Sequence, residues 1–539
     1  MTTEADRSAS ARGVAAARAH IQADNVPEAL AEARTAAKTD PANTEAFAIW
    51  GVAAAELGDY IQALEPLTTA ADRAPAGTPG WANLNSQLAR TLSNVGFWAE
   101  AARKAFAVER LQPPDPQVRR RIGATFARIG LIERALPHLE WAVRTTPNWS
   151  EAQLDLGVAY LSLGRLEEAE QALEKAVSLS PLWVQPHMAL APLRRWTPGA
   201  AHIERLEAVR AHPDISAFDR AGLGFSLFKE LNDVGRYGEA WPVLEAANEA
   251  IRDAEGPWSA EDDRALIDAL IETFPAERFQ QPAAPPPSEG TTPIFIVGLP
   301  RSGTTLVERI IASHSQVTAM GEVPSFPILF RGASSAADRR PLNAAVVRGA
   351  AAADWSRTAK AYRAETAFLT GVAAFATDKL PANSLLVGAI RLAFPDAPIV
   401  YVRRDPMDIF YSAYRVQFAG LYGWSHRLAD MAEHYANHRR LMAHWRSCLG
   451  DGLTLVDYED LVADPETEIR RLIAACGLPF EAACLTPHET DGAVRTASIV
   501  QVRQPITAAG IGAWRRYEAQ MEPLRARLGA LDLLDSRSS

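Results

Sequence analysis

"IFIVGLPRSGTT", residues Ile294 to Thr305, is the stretch on which the reading of the C-terminal half turns. Residues 294–297 are apolar and read as a buried strand; Gly298 ends it, and a second glycine follows five positions later at Gly303. Strand, glycine turn and helix in that order gather backbone N–H groups around an anion at a helix N-terminus. The frame is the G-x-x-x-x-G of a phosphate-binding loop, but Thr304 stands where a lysine is expected. Arg301 carries the loop's positive charge instead, as a planar fork suited to phosphate or sulfate oxygens, and Ser302, Thr304 and Thr305 add hydroxyl donors. The missing lysine argues against a kinase or an ATP- or GTP-hydrolysing enzyme, in which that residue cradles the β- and γ-phosphates. Taken alone, the frame also fits an ordinary strand-to-helix turn.

Outward from the loop, residues 399–402 and 453–456 are further strand candidates, each followed by turn chemistry and a helical pattern. That alternation predicts a parallel sheet covered by helices. Upstream, "QQPAAPPPSEG", residues 280 to 290, is a proline-rich spacer without core-forming residues. Before it the grammar is different. Prolines fall at Pro41, Pro75, Pro113, Pro147 and Pro181, at intervals of 34, 38, 34 and 34. Gly58, Gly96, Gly130 and Gly164 keep step, as do Ala29, Ala63, Ala101, Ala135 and Ala169. The clearest copy, "SEAQLDLGVAYLSLGRLEEAEQALEKAVSLSPLW", is a helical hairpin. Gly157 and Ala169 allow close approach, Gly164 breaks the chain and Pro181 ends the second helix. It resembles the tetratricopeptide repeat. Five copies cover about residues 10 to 183, and a weaker sixth sits near 221–254 with Gly235, Tyr237, Ala240 and Ala247 in phase. Such stacks form a superhelix with a concave groove that holds peptides or proteins.

With 539 residues, the chain exceeds one hydrophobic core. We expect residues 1–275 to form the repeat domain, 276–290 a linker and 291–539 the α/β domain. The formal net charge of -10 argues against bulk nucleic-acid binding. Cys448, Cys476 and Cys484 show no metal-ligand spacing and suit a reducing compartment. The N-terminus "MTTEADRSAS" has no apolar core, and no run of about 18 apolar residues occurs, so a cytoplasmic protein without a membrane span is expected.

"GLPRSGTTLVERIIASH" resembles the 5′-phosphosulfate loop of sulfotransferases, and arginine within the loop is similar to the tyrosylprotein sulfotransferase branch. The fold this implies is α plus α/β: a tetratricopeptide-repeat superhelix followed by a P-loop-like α/β sulfotransferase domain with a parallel sheet. The co-substrate it implies is 3′-phosphoadenosine-5′-phosphosulfate (PAPS), with adenosine-3′,5′-bisphosphate (PAP) as product and no metal. Pro300, Arg301, Ser302, Gly303, Thr304 and Thr305 would form the loop that holds the donor. A second family signature follows in "FPDAPIVYVRRDPMDIFYSAY", where Arg404 and Ser412 stand eight apart, like the pair that grips the donor's 3′-phosphate. Read without the resemblance, Arg404 and Asp405 could equally be capping a helix. The blocks "LVDYEDLVADPETEIRRLIAACGLP" and "TASIVQVRQPITAAGIGAWRRYE" also resemble the family, so the likeness covers most of residues 291–517.

Sulfuryl transfer needs a base near the acceptor hydroxyl and a cation near the oxygen bridging to the leaving phosphate. By the resemblance, Glu322 in "AMGEVPSF" is the base. His314 is the alternative, although a histidine ending the loop's helix and satisfied by backbone accounts for it better. Lys379 in "ATDKLPANSLLVGAI" matches the family's bridging cation; lysines otherwise sit solvated at surfaces. The resemblance further implies Ser498 and Thr496 as hydroxyl donors to the phosphosulfate, and Arg503 as a basic donor contact. Gln504 occupies the closest match to that basic position, and Arg515 and Arg516 are nearby alternatives. Tyr458 packs or hydrogen-bonds near the donor, or is a core tyrosine. The function expected is sulfuryl transfer to a hydroxyl acceptor, with a peptide tyrosine, a metabolite, a lipid and a polysaccharide all open. The competing expectation is a repeat scaffold with a non-catalytic nucleotide-binding domain, against which Arg301, Glu322, Lys379, Arg404 and Ser412 stand together.

Overall fold

The computed structural model describes residues 2–280, 290–338, 342–418, 420, 422–490, 492 and 501–535. Thr496, Ser498 and most of the proline-rich spacer lie outside the described residues. By contact, the chain divides into two compact units, Met1–Ala159 and Tyr160–Ser539, each described by itself.

The first unit is built from helical hairpins: α1 (Glu4–Gln22) with α2 (Val26–Thr39), α3 (Thr44–Glu56) with α4 (Tyr60–Arg73), α5 (Pro79–Asn94) with α6 (Trp98–Glu109), and α7 (Pro116–Arg128) with α8 (Ile132–Thr145). The next pair, α9 (Ser150–Leu163) and α10 (Leu166–Leu179), runs into the second unit. The glycines in phase have the conformation a hairpin break demands, with φ of +81° at Gly58, +88° at Gly96 and +94° at Gly130. In the first hairpin Asp24 takes that place at φ +56°, a conformation short polar side chains tolerate. The small residues at the crossings are needed as well: a Cβ on Gly51 would lie 2.6 Å from Leu67 Cγ, and one on Gly123 2.9 Å from Leu139.

The second unit contains a five-stranded sheet of β1 (Thr292–Gly298), β2 (Val317–Ala319), β3 (Phe375–Asp378), β4 (Ile399–Arg403) and β5 (Thr454–Asp457). The order is β2-β3-β1-β4-β5 and every pairing is parallel. All three strands expected from sequence are present. The two additional ones raise no apolar run: β2 has three residues, and the four of β3, "FATD", end in Thr377 and Asp378. In the centre, β1 is buried on both faces, as its unbroken apolar run requires.

Composition changes at residues 276–290, but packing is shared across that point. The helices Ala217–Asp233 and Tyr237–Glu255, which carry the weak sixth repeat, belong to one hydrophobic core with the helices Pro406–Tyr414, Leu428–Leu449 and Glu518–Ala530. Trp241 lies 5.6 Å from Tyr414 and 5.1 Å from Tyr517, ring to ring. Asn248 Nδ2 donates to the Tyr414 carbonyl at 3.0 Å, and its Oδ1 lies 2.8 Å from His426 Nδ1. Buried large side chains stabilise by roughly 1.5–3 kcal/mol each, so this helix pair holds a sizeable part of the second unit's core. A fragment of residues 291–539 should therefore be insoluble or unfold without cooperativity, whereas 160–539 should show one thermal transition. In the full chain, Trp241→Ala should lower stability by about 3–5 kcal/mol in urea melts. A soluble, cooperatively folded 291–539 fragment would contradict this account.

Candidate functional site

Parallel strands bring all their carboxyl ends to one edge of the sheet, where open α/β folds bind ligands. Here each strand leads into a candidate residue: β1 into the Arg301 loop, β2 into Glu322, β3 into Lys379, β4 into Arg404 and β5 into Tyr458.

The loop is tight. A Cβ on Gly298 would meet Val402 O at 2.8 Å, and one on Gly303 would lie 2.5 Å from Tyr458 Cδ2. Gly303, at φ +108°, is the N-cap of the helix Thr304–Ala312. Arg301 has φ +71°, a left-handed backbone uncommon for a non-glycine residue and typical of ligand-binding turns. Pro300, Thr304 and Thr305 are buried beside it. Ser302 is fully buried and its Oγ has no protein partner, although an unpaired buried hydroxyl costs about 1–3 kcal/mol. A bound oxyanion would satisfy it.

Two signatures well separated in sequence meet here. Arg301 Nε donates to Ser412 Oγ at 2.8 Å. Arg404 Nη1 donates to Arg301 O at 3.2 Å and Nη2 to Gly510 O at 2.5 Å, while its guanidinium stacks 4.4 Å from the Tyr458 ring centroid. Burial, then the like charges of Arg415 and Arg404, bring the Arg301 guanidinium down to about 10; Glu322 and Tyr458 pull the other way. Crowded cations of this kind favour an anion. Capping belongs to Asp405 alone: its Oδ1 accepts from Met407 N at 2.8 Å and Asp408 N at 3.2 Å. That leaves Arg404 to face the loop. Behind it, Arg403 and Asp457 form a two-bond ion pair at 3.0 and 2.8 Å that locks β4 to β5.

Lys379 is not a surface lysine. Its side chain is 0% exposed and Nζ donates to Glu322 Oε1 at 2.5 Å, with Glu322 40% exposed. The Lys379 N–H also donates to Gly321 O at 2.9 Å, tying the two segments by backbone as well. The pair thus has a buried cation and a carboxylate that solvent can reach. His314 is held as the sequence suggested: Gln316 N–H donates to Nδ1 at 3.1 Å, and Nε2 lies 2.8 Å from Pro479 O. Both ring nitrogens are occupied, which leaves no lone pair for an acceptor proton.

Arg503 binds main-chain oxygens. Its Nη2 donates to Ser162 O at 2.8 Å and Gly492 O at 3.0 Å. Arg516 Nη1 lies 3.4 Å from Asn232 Oδ1, and Arg515 stacks on Trp514. Three groups at the site went unread in the sequence: Arg415, Glu308 and Asp378. Glu308 had a signal, being a lone carboxylate among the inward apolar positions Val307, Ile310 and Ile311 of the loop's helix. Asp378, fully buried, accepts from Tyr362 Oη at 2.6 Å and Asn383 Nδ2 at 3.3 Å.

Burial foremost, and the charge of Glu308, push Asp378 from the ordinary 3.8 to about 7, against the pull of the Tyr362 hydroxyl. The folded state then binds more protons than the unfolded one between those values, so this group's contribution to stability falls as pH rises through that window. Asp378→Asn should flatten the loss: its urea midpoint should change less between pH 3.8 and about 7 than that of the wild type.

The sulfotransferase family model matches residues 293–482, and the tetratricopeptide-repeat model matches residues 14–78 and 121–182. An uncharacterized protein of Aquifex aeolicus (strain VF5) is 33% identical over 338 residues, covering 60% of this chain and 43% of that protein; the chain thus spans less than half the length of that relative. A Caenorhabditis briggsae protein described as "Putative protein-tyrosine sulfotransferase" is 25% identical over 245 residues, covering 41% of this chain and 80% of that protein. Among solved structures, a thermophilic tetratricopeptide-repeat protein of Thermus thermophilus is 23% identical, covering 34% of this chain and 98% of its own, with a TM-score of 0.30. The chain carries tetratricopeptide repeats in its N-terminal part and a domain of the sulfotransferase family in its C-terminal part.

Proposed function

We propose that the protein transfers a sulfuryl group from PAPS to a hydroxyl acceptor, with Glu322 as general base. The observation that carries this reading is the pair of Lys379 and Glu322, a fully buried ammonium against a half-exposed carboxylate. The same carboxylate's charge is felt by Arg301 in the loop. Base, cation and anion cradle thus lie at one sheet edge, the set an in-line displacement at sulfur requires.

The parts divide by chemistry. Loop N–H groups, Ser302 and Arg301 suit the phosphosulfate end of the donor, and Arg404 with Ser412 suits a second phosphate. Tyr458 supports Arg404 by stacking and fills the space above Gly303. The ion pair requires Glu322 as carboxylate, the form that can take the acceptor's proton. Lys379 is then placed to meet negative charge developing on the bridging oxygen as the sulfur–oxygen bond to the leaving phosphate breaks. The domain's likeness to a protein described as a tyrosine sulfotransferase favours a peptide tyrosine as acceptor, and the repeats favour a protein or peptide partner. The three free cysteines, two of them buried, suit a cytoplasmic location.

Donor binding should depend on the two arginines separately. Arg301→Ala and Arg404→Ala should each weaken binding by about 1.5–3 kcal/mol, the worth of a charge-assisted contact. Adenosine-3′,5′-bisphosphate should bind the wild type and bind Arg404→Ala poorly in titration calorimetry. Normal binding by that variant would reduce Arg404 to a structural role.

Base and donor site should come apart in Glu322→Gln. Bisphosphate affinity should hardly move, while turnover should fall by roughly the 10²–10⁴ that general-base catalysis contributes. His314→Ala should leave both nearly unchanged. An inactive His314→Ala beside a normal Glu322→Gln would assign the base to the histidine.

A further inference from the structure

We propose that Glu308 is a positioning residue for transfer, a single carboxylate that sets the spacing between phosphate loop, base and cation. The proposal rests on the reading of Glu322 and Lys379 given above and extends it to a residue that touches neither substrate. Glu308 lies one turn into the helix that begins at the loop, and only 6% of it is exposed. Its Oε1 accepts two hydrogen bonds from two different segments: Gly321 N–H at 3.1 Å and Thr377 Oγ1–H at 3.1 Å. Gly321 immediately precedes Glu322, and Thr377 stands two residues before Lys379.

The contacts close a ring. From Glu308 the path runs through Gly321 to Glu322, across the ion pair to Lys379, back along β3 to Thr377 and so to Glu308 again. Two backbone bonds brace it from inside, Lys379 N to Gly321 O at 2.9 Å and Met320 N to Thr377 O at 3.1 Å. Gly321 has φ +71°, so the turn delivering Glu322 is a conformation that glycine alone adopts freely. A turn of that kind has no side chain of its own to fix it, and the Glu308 oxygen supplies the missing tether. Burial raises Glu308 above the ordinary glutamate value, while the Lys379 charge and the Thr377 and Gly321 bonds pull against it. A carboxyl is thus kept in the core by the geometry it maintains. The loop that holds the donor and the two groups that act at its far end are one rigid assembly, in which a misplacement of about 1 Å is enough to cost 10²-fold in rate.

The test separates the tether from the charge. Glu308→Gln keeps an oxygen that can accept both bonds; Glu308→Ala removes it and leaves a buried N–H and hydroxyl unpaired. Acetylation of Lys379 by an amine-reactive ester, read by mass spectrometry on the full chain, should quicken by roughly tenfold or more in Glu308→Ala and stay near wild type in Glu308→Gln. Lys229, on the helix Ala217–Asp233, should react alike in all three. Transfer of labelled sulfate from the donor to water should fall by about 10²-fold in Glu308→Ala and recover in Glu308→Gln, with bisphosphate affinity unchanged. Should Glu308→Ala fail to fold, Thr377→Val, which removes one of the two donors, carries the same labelling test with the same sign. Unchanged Lys379 reactivity in the truncated variant, or equal acceleration in Glu308→Gln, overturns the proposal. Failure of the bisphosphate to bind the wild type would instead sink the donor reading, while the labelling result still decides what Glu308 does.

Discussion

An ammonium group with no exposure to water is the constraint around which the C-terminal site is arranged. Lys379 sits in the core at the end of β3, and an isolated charge there is strongly unfavourable unless paired and hydrogen-bonded. Glu322 supplies the pair, and two further carboxyls, Glu308 and Asp378, lie behind it. Burial foremost raises both, and a neighbouring carboxylate adds to it: Glu322 for Glu308, and Glu308 for Asp378. Tyr362, Thr377 and Asn383 are then required as donors, which explains polar residues in a region otherwise filled by Phe295, Phe326 and Phe394.

The loop obeys a complementary rule. Burial and the like charges of Arg415 and Arg404 act against the Arg301 cation, and the Glu322 carboxylate acts for it. Cations therefore crowd the loop, whereas beside Lys379 burial favours the neutral form of Glu308 and Asp378. Such a cluster of like charges favours an anion at the loop.

Much of this was readable from residue order. The hairpin glycines marked the repeats because few residue types tolerate φ above zero, and the prolines because they end helices; the loop declared itself through Gly298 and Gly303, where backbone and Tyr458 leave no room for a Cβ. What stayed hidden has a common cause. β2 has only three residues, and β3 replaces half of its four with polar Thr377 and Asp378, so neither makes an apolar run. Glu308 meets Gly321 across 13 positions and Asp378 meets Tyr362 across 16, and an inward carboxylate on an apolar helix face looks, in one dimension, like an interruption. Arg503 shows the converse: its position along the chain suggested the donor, but its guanidinium is engaged by main-chain oxygens of Ser162 and Gly492.

The Asn248 side chain, bonded at once to the Tyr414 carbonyl and to His426, has a consequence for the repeat array. Tyr414 ends the helix that carries Ser412, so a residue from a repeat-like helix pair sets the seat of the helix that faces the loop. Repeats upstream touch mainly their neighbours, so each depends on little beyond the adjoining copy. The pair at 217–255 is held on different terms. Its interior is continuous with that of the C-terminal domain, and this shared core reaches back to Val184, so the array loses its independence well upstream of where the composition changes.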